Sequence, residues 1–174
     1  MTKVAVIGNA GGGKSTLCRH LSLVKKLPHH YVDLIQWQPN WIPTSAEEVS
    51  RKLNAILQED KWVIDGWGDW TSIEQRFSLA DTIIMVDLPL RYHYWWSLKR
   101  QLKSIFQSRE DLPANCPMLG KTRQLLQTIG YVHEHLRPKL LDLLTVYQND
   151  PKTNVYQLCS PVELKQFTAL HANS

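Results

Sequence analysis

The residues from Gly8 to Ser15, GNAGGGKS, are spaced to hold phosphate. Gly8, Gly13, Lys14 and Ser15 occupy every fixed position of the pattern G-x-x-x-x-G-K-[ST]. Glycine reaches backbone conformations closed to other residues, so consecutive N–H groups across Asn9, Ala10, Gly11, Gly12 and Gly13 can turn inward on phosphate oxygens. A helix starting there would add the positive end of its dipole. Lys14 is expected to set a catalytic cation on the β and γ phosphates. Ser15 offers a hydroxyl to magnesium, and Thr16 closes the cradle. The chemistry implied is binding of a nucleoside triphosphate, expected to be ATP, with Mg2+.

Such a site needs a further carboxylate, usually at the end of an apolar strand. Asp65 in WVIDG and Asp87 in IIMVDLP both qualify, and spacing alone leaves the choice open. The chain has no N-K-x-D guanine motif and no LSGGQ-like segment, which sets aside GTPases and ABC-type ATPases.

These residues must be positioned by their flanking elements. KVAVIG (3–8) is an apolar, β-branched run of the kind found in buried parallel strands. STLCRHLSLVKK reads as a helix with Leu17, Leu21 and Val24 on one face, closed by Pro28. HYVDLI is expected as a second strand ending at Asp33, followed by a loop over 36–44. Ser45-x-x-Glu48 has capping-box spacing ahead of a helix. Strands are expected at 61–66, 81–88 and 154–159, with a helix at 71–80. Another runs from Pro89 to about Phe106, with Tyr92, Trp95 and Trp96 facing the core. A loop covers 107–118. A long helix follows from about Leu119 to Tyr147, broken near Gly130, and Ser160-Pro161-x-Glu163 opens the last one. Alternating strands and helices imply an α/β fold with a mainly parallel sheet. Ligands bind beyond the carboxyl ends of such strands. Asp33, Asp65, Asp87 and the glycine-rich turn therefore gather at one rim.

The bulk properties fit one domain. The chain has 174 residues, 43% hydrophobic and 21% charged, and no apolar run long enough to span a bilayer. The N-terminus lacks a signal-peptide pattern, so a cytoplasmic location is expected. Cys18, Cys116 and Cys159 are widely spaced and without a CxxC pair. The close histidine groups, His29-His30 and His133-x-His135, have no cysteine or carboxylate at ligand spacing. Free thiols are expected, and neither disulfides nor a zinc site. The net charge of +4 carries no long block of like charges. It favours a basic phosphate pocket over a nucleic-acid surface. Oligomeric state leaves no trace in the sequence.

The segments VAVIGNAGGGKST, LPHHYVDLIQWQPNW, WVIDGW, RFSLADTIIMVDLP, NCP and RPKLL occur in order over nearly the whole chain. Together they resemble the nucleoside-monophosphate-kinase group of P-loop proteins. Within it they resemble the adenylate-kinase-related proteins labelled topology modulation protein, or FlaR-like. The resemblance implies a three-layer α/β/α P-loop NTPase fold with a five-stranded parallel sheet in the order 2-3-1-4-5. It implies a single domain over 1–174 with a small lid at about 105–122. In that order the strand ending at Asp65 lies beside the P-loop strand, making Asp65 the magnesium-side carboxylate. Asp87 would then cap its strand or orient a neighbour. Lid arginines would close over the phosphates. Arg100, Arg109, Arg123 and Arg137 are candidates, with Arg100 and Arg137 placed foremost.

On the acceptor side, Asp33 is expected to accept or orient a hydroxyl proton as a general base would. Trp37 and Trp41 flank Pro39 and either stack on the acceptor or pin their loop to the core. Trp67 lines the same cleft, and Arg76 is expected to hold an acceptor phosphate or carboxylate. The chain lacks the arginine of the DGFPR segment of adenylate kinases, which argues against AMP as acceptor. The expected activity is transfer of the γ-phosphoryl group of ATP to a small acceptor. A non-catalytic nucleotide-responsive regulator, with or without DNA, and a plain NTPase are the alternatives.

Overall fold

The computed structural model describes residues 1–104, 112–117 and 119–171. The apolar run at the N-terminus forms strand β1 (Lys3–Gly8). It lies at the centre of a sheet with β2 (His29–Tyr31), β5 (Trp62–Asp65), β6 (Thr82–Val86) and β7 (Asn154–Leu158). The strand order is β2-β5-β1-β6-β7 with every pairing parallel. Counted along the chain within this sheet alone, that is 2-3-1-4-5. A two-stranded antiparallel ribbon, β3 (Trp37–Gln38) and β4 (Ile42–Pro43), stands apart from it.

Side-chain alternation along the strands builds the three layers. Val4, Val6, Val63, Ile84 and Val86 face α1 (Lys14–Lys25) and α8 (Pro161–Leu170), packing with Leu17, Cys18, Leu21 and Phe167. Ala5, Ile7, Ile64, Ile83 and Met85 face the other way. They pack with residues of α3 (Ala46–Leu57), α4 (Trp70–Leu79) and α7 (Arg137–Gln148), including Leu53, Phe77, Leu140 and Leu144. The capping signals act as their residue types require. The Ser45 hydroxyl accepts from the Glu48 N–H at 3.3 Å. Ser160 accepts from the Glu163 N–H at 3.1 Å while the Glu163 carboxylate accepts from the Cys159 N–H at 2.9 Å.

Several elements differ from expectation. β2 ends at Tyr31, and Asp33 lies in the first turn of a short helix, α2 (Val32–Gln36). The segment 36–44 is the β3–β4 ribbon around a 3-10 turn, Pro39–Trp41. In α5 (Leu90–Lys103) the buried side is the polar row His93, Ser97 and Gln101, whereas Trp95 is 58% exposed. Tyr92 and Trp96 pack at the margin of the α1-side core. The long helix is interrupted after Gly130, at a π-helical turn over Val132–Leu136 between α6 (Thr122–Tyr131) and α7. Pro138 explains the position. It has no N–H to give and its ring crowds the carbonyl four residues back, so the backbone widens and the Arg137 N–H reaches Val132. Of the expected lid, residues 105–111, with Arg109, and 118 lie outside the described residues.

Asp81 fastens the start of β1 to β6. Its carboxylate accepts from the Thr2 hydroxyl at 2.6 Å, the Lys3 N–H at 3.0 Å and the Thr82 hydroxyl at 2.7 Å. Partial burial alone would raise this carboxyl. The bonds from Thr2, Thr82 and Lys3 oppose it and hold the group below the usual range. A carboxyl depressed by folding stabilises at pH values above its unfolded pKa of about 3.9, and that contribution fades as pH falls through the folded value. Asp81→Asn is therefore expected to cost about 1 kcal/mol near neutral pH, after allowance for solvent screening. The deficit should shrink when denaturant midpoints of both proteins are compared in acid below about pH 3.

Candidate active site

Gly8 ends β1 with φ +141, and a Cβ there would stand 2.2 Å from the Val86 carbonyl oxygen of β6. Gly11 has φ +70 and would drive a Cβ to 2.2 Å from the Ser97 hydroxyl. The first lets the chain leave the sheet, and the second lets the loop settle against α5. Neighbouring elements lock the loop. Asn9 is buried; its amide donates to the Ile129 carbonyl of α6 at 2.8 Å and accepts from the Ala10 N–H at 2.8 Å. The His93 Nδ1 donates to the Ala10 carbonyl at 2.9 Å. Burial pushes that imidazole below its usual range and the nearby Lys14 adds to this, against the bond to Ala10. The Trp67 indole N–H donates to the Gly8 carbonyl at 2.9 Å. Gly13 is left-handed and precedes α1, so Lys14, Ser15 and Thr16 form its first turn. The Lys14 ammonium donates to the Asn9 carbonyl at 2.9 Å and so lies across the mouth of the loop.

Adjacency to β1 does not separate the two carboxylates, because β5 and β6 both pair with it. Facing does. Asp65 continues the alternation of Val63, on the α1 side where Ser15 stands. Asp87 continues that of Met85, on the α7 side. Their partners also differ. Asp87 accepts from the Arg137 Nε and Nη2 at 2.6 and 2.8 Å and from the Gln157 amide at 2.8 Å. Asp65 is 4% exposed, and its Oδ1 has no hydrogen-bond partner. A buried carboxylate oxygen without a donor is costly unless a cation satisfies it. Asp65 thus presents an unpartnered oxygen on the face covered by α1, where a cation could satisfy it, whereas Asp87 holds Arg137.

Arg137, the first residue of α7, is 35% exposed and held as a bidentate pair, its guanidinium pushed above the usual range chiefly by the bonds to Asp87. Arg100 is half-buried near the end of α5, and Arg123 is exposed in the first turn of α6.

Arg76 departs from expectation. It is 1% exposed, and three of its N–H groups go to backbone carbonyls: Ser72 at 3.0 Å, Gly66 at 2.8 Å, and Trp67. Burial lowers its pKa to about 10, against the influence of Asp69 and Asp65. The residue braces the turn after β5 from beneath.

Asp33 is half-buried on α2. Trp37 and Trp41 meet edge to face with centroids 5.6 Å apart, and the Lys121 ammonium lies 4.1 Å over the Trp41 ring. The Trp41 indole donates to the Pro117 carbonyl at 3.3 Å, and the Asn40 N–H to the Ala114 carbonyl at 3.3 Å. These contacts tie the ribbon to Ala114, Pro117 and Lys121, within the stretch expected to form the lid. A cavity of about 460 Å³ opens beside Trp37, lined by residues of α2, the ribbon, α3 and α4, including Gln36, Thr44, Ser50, Asp69, Ser72 and Gln75. Among the described residues no lysine or arginine lines it. The Thr44 and Ser72 hydroxyls are buried there without a hydrogen-bond partner. Sequence reasoning missed these two and His93. The i, i+4 spacing of His93 and Ser97 on a helix otherwise rich in aromatics was the available signal for the latter.

No protein-family model matches the chain, and no protein of curated function matches it in sequence. Solved structures do match in shape. A shikimate kinase from Acinetobacter baumannii, determined with shikimate, superposes over 98% of this chain and 90% of its own, with a TM-score of 0.53 and 13% identity. A sugar kinase from Janibacter covers 97% and 88%, with a TM-score of 0.49 and 15% identity. The chain has the P-loop kinase fold. Among the described residues no helix is long and apolar enough to cross a membrane.

Proposed function

We propose that this chain is an ATP-dependent phosphotransferase acting on a small, uncharged, hydroxyl-rich acceptor. The observation that carries the kinase reading is a buried, unpartnered Asp65 oxygen at the end of β5, on the sheet face covered by the helix that opens with Lys14 and Ser15. When bound, magnesium would supply charge neutralisation at the triphosphate. The loop N–H groups and Lys14 hold and orient the phosphates. Arg137, fixed by Asp87, and Arg100 add cations for the charge spread over the transferring group. Asp33 takes or orients the acceptor's hydroxyl proton. The motifs quoted above support placement beside the FlaR-like adenylate-kinase relatives, as one domain with a lid over about 105–122. Three free thiols accord with a reducing compartment such as the cytoplasm.

The acceptor class rests on the cavity beside Trp37. Its hydroxyls, amides and single carboxylate offer hydrogen bonds to a polyol and no cation to a phosphate or carboxylate. The test is a thermal-shift screen with a nonhydrolysable ATP analogue present, comparing sugars and polyols with nucleoside monophosphates and hydroxy acids. A polyol hit at about 100 times its Kd adds about 2.7 kcal/mol of apparent stability. Stabilisation by the anionic acceptors alone would refute the acceptor class. ATP consumption at background across the whole panel would refute the kinase.

A further inference from the structure

Behind the phosphate loop three chemically different ligand atoms converge. Cys18 lies on α1 three residues after Ser15, and therefore on the same side of the helix one turn further in. His29 opens β2 and pairs in register with Val63, two residues before Asp65. The Cys18 sulfur, a His29 ring nitrogen and an Asp65 carboxylate oxygen all lie within 4.8 Å of one another. Bonds of about 2.0–2.3 Å to a tetrahedral ion place ligand atoms about 3.3–3.8 Å apart. Closing the cluster onto an ion therefore asks about 1 Å of side-chain rotation and no movement of the sheet.

We infer that Cys18, His29 and Asp65 form a site for a soft or borderline divalent metal such as Zn2+, distinct in ligand chemistry from a magnesium site. A sulfur–nitrogen–oxygen set is what Zn2+ and Co2+ accept and what Mg2+ declines in favour of oxygen. Three protein ligands leave one position for water. Cys18 is fully buried, so a bound ion would be shielded from solvent on that side. Binding exchanges the thiol proton, released to solvent, for a metal–sulfur bond, and gives the partnerless Asp65 oxygen its cation. Two divalent ions sharing the one Asp65 carboxylate would repel each other at short range. If it is the magnesium-side carboxylate, as proposed above, the soft metal competes with the Mg–ATP state and inhibits phosphoryl transfer.

The test is optical and independent of activity. The full-length protein with reduced thiols is titrated with Co2+, alone and with Zn2+ as competitor. The expected result is one equivalent bound, with tetrahedral d–d bands and a sulfur-to-cobalt charge-transfer band, both abolished by Zn2+. Cys18→Ser should remove the charge-transfer band, while Cys116→Ser and Cys159→Ser keep it. His29→Ala, towards the sheet edge, should weaken Co2+ binding more than about tenfold. It decides the matter if the Cys18 variant fails to fold. No charge-transfer band in the parent protein, a band that survives in Cys18→Ser, or unchanged affinity in His29→Ala would each overturn the site. A positive titration in a protein without kinase activity would leave the metal site standing and remove only the competition with magnesium.

Discussion

Lys14→Ala is expected to lower phosphoryl transfer by about 10³-fold or more while leaving the melting temperature within a few degrees of the parent. Transfer of a phosphoryl group is mostly positioning and charge stabilisation, so removing the cation nearest the β and γ phosphates takes away about 4 kcal/mol of transition-state stabilisation. The fold has little stake in the side chain. Lys14 is only half-buried, and its ammonium donates to the Asn9 carbonyl, inside the loop it serves. Steady-state rates together with calorimetric binding of an ATP analogue give the two readouts. Unchanged nucleotide affinity and turnover in a folded variant would remove the phosphate cradle as the site of chemistry.

Arg76→Met should behave the opposite way, as a stability variant first. Its guanidinium joins the Ser72, Gly66 and Trp67 carbonyls in a site closed to water. Losing those charged hydrogen bonds leaves buried acceptors unpaired, at a cost of about 3 kcal/mol. For a domain of this size that lowers Tm by about 6–12 °C. Arg76→Lys keeps the charge but cannot reach three carbonyls from one planar group, so it is expected to recover less than half of the loss. Full stability in Arg76→Lys, together with weakened binding of an anionic acceptor, would restore the acceptor-binding role the sequence suggested.

Arg76 also illustrates where sequence reading stops. Its type and place beside the IDG segment were legible, but the direction of a buried side chain depends on which carbonyls the turn leaves unpaired. Local signals carried further. The β-branched run before Gly8, the caps at Ser45 and Ser160 and the phosphate loop all depend on neighbours within a few residues, and each has its expected form. Asp33 was displaced because VDLI suits strand and helix equally, and the strand ends at Tyr31, two residues before Asp33, where the chain turns helical. Asp65 and Asp87 are indistinguishable as strand-end carboxylates. Only the parity of each strand's alternation, fixed by what packs on either face, sends one towards Ser15 and the other to Arg137. Cys18, His29 and Asp65 are too far apart in the chain for any ligand-spacing rule, and they meet only through the pairing of β2 with β5 and the packing of α1 on that face.

The wide turn at Val132–Leu136 sets a phase between two anchors. On one side of it the Ile129 carbonyl holds Asn9 of the phosphate loop; on the other, Arg137 grips Asp87 and Leu140 fills the core. Each residue of a helix advances its direction by about 100°. Deleting a single residue from the turn to make the helix regular would swing one anchor away from the sheet while the other stayed in place. The extra residue is thus a timing element, keeping a loop and a charge clamp, which follow the carboxyl ends of two adjacent strands, aimed at the same rim.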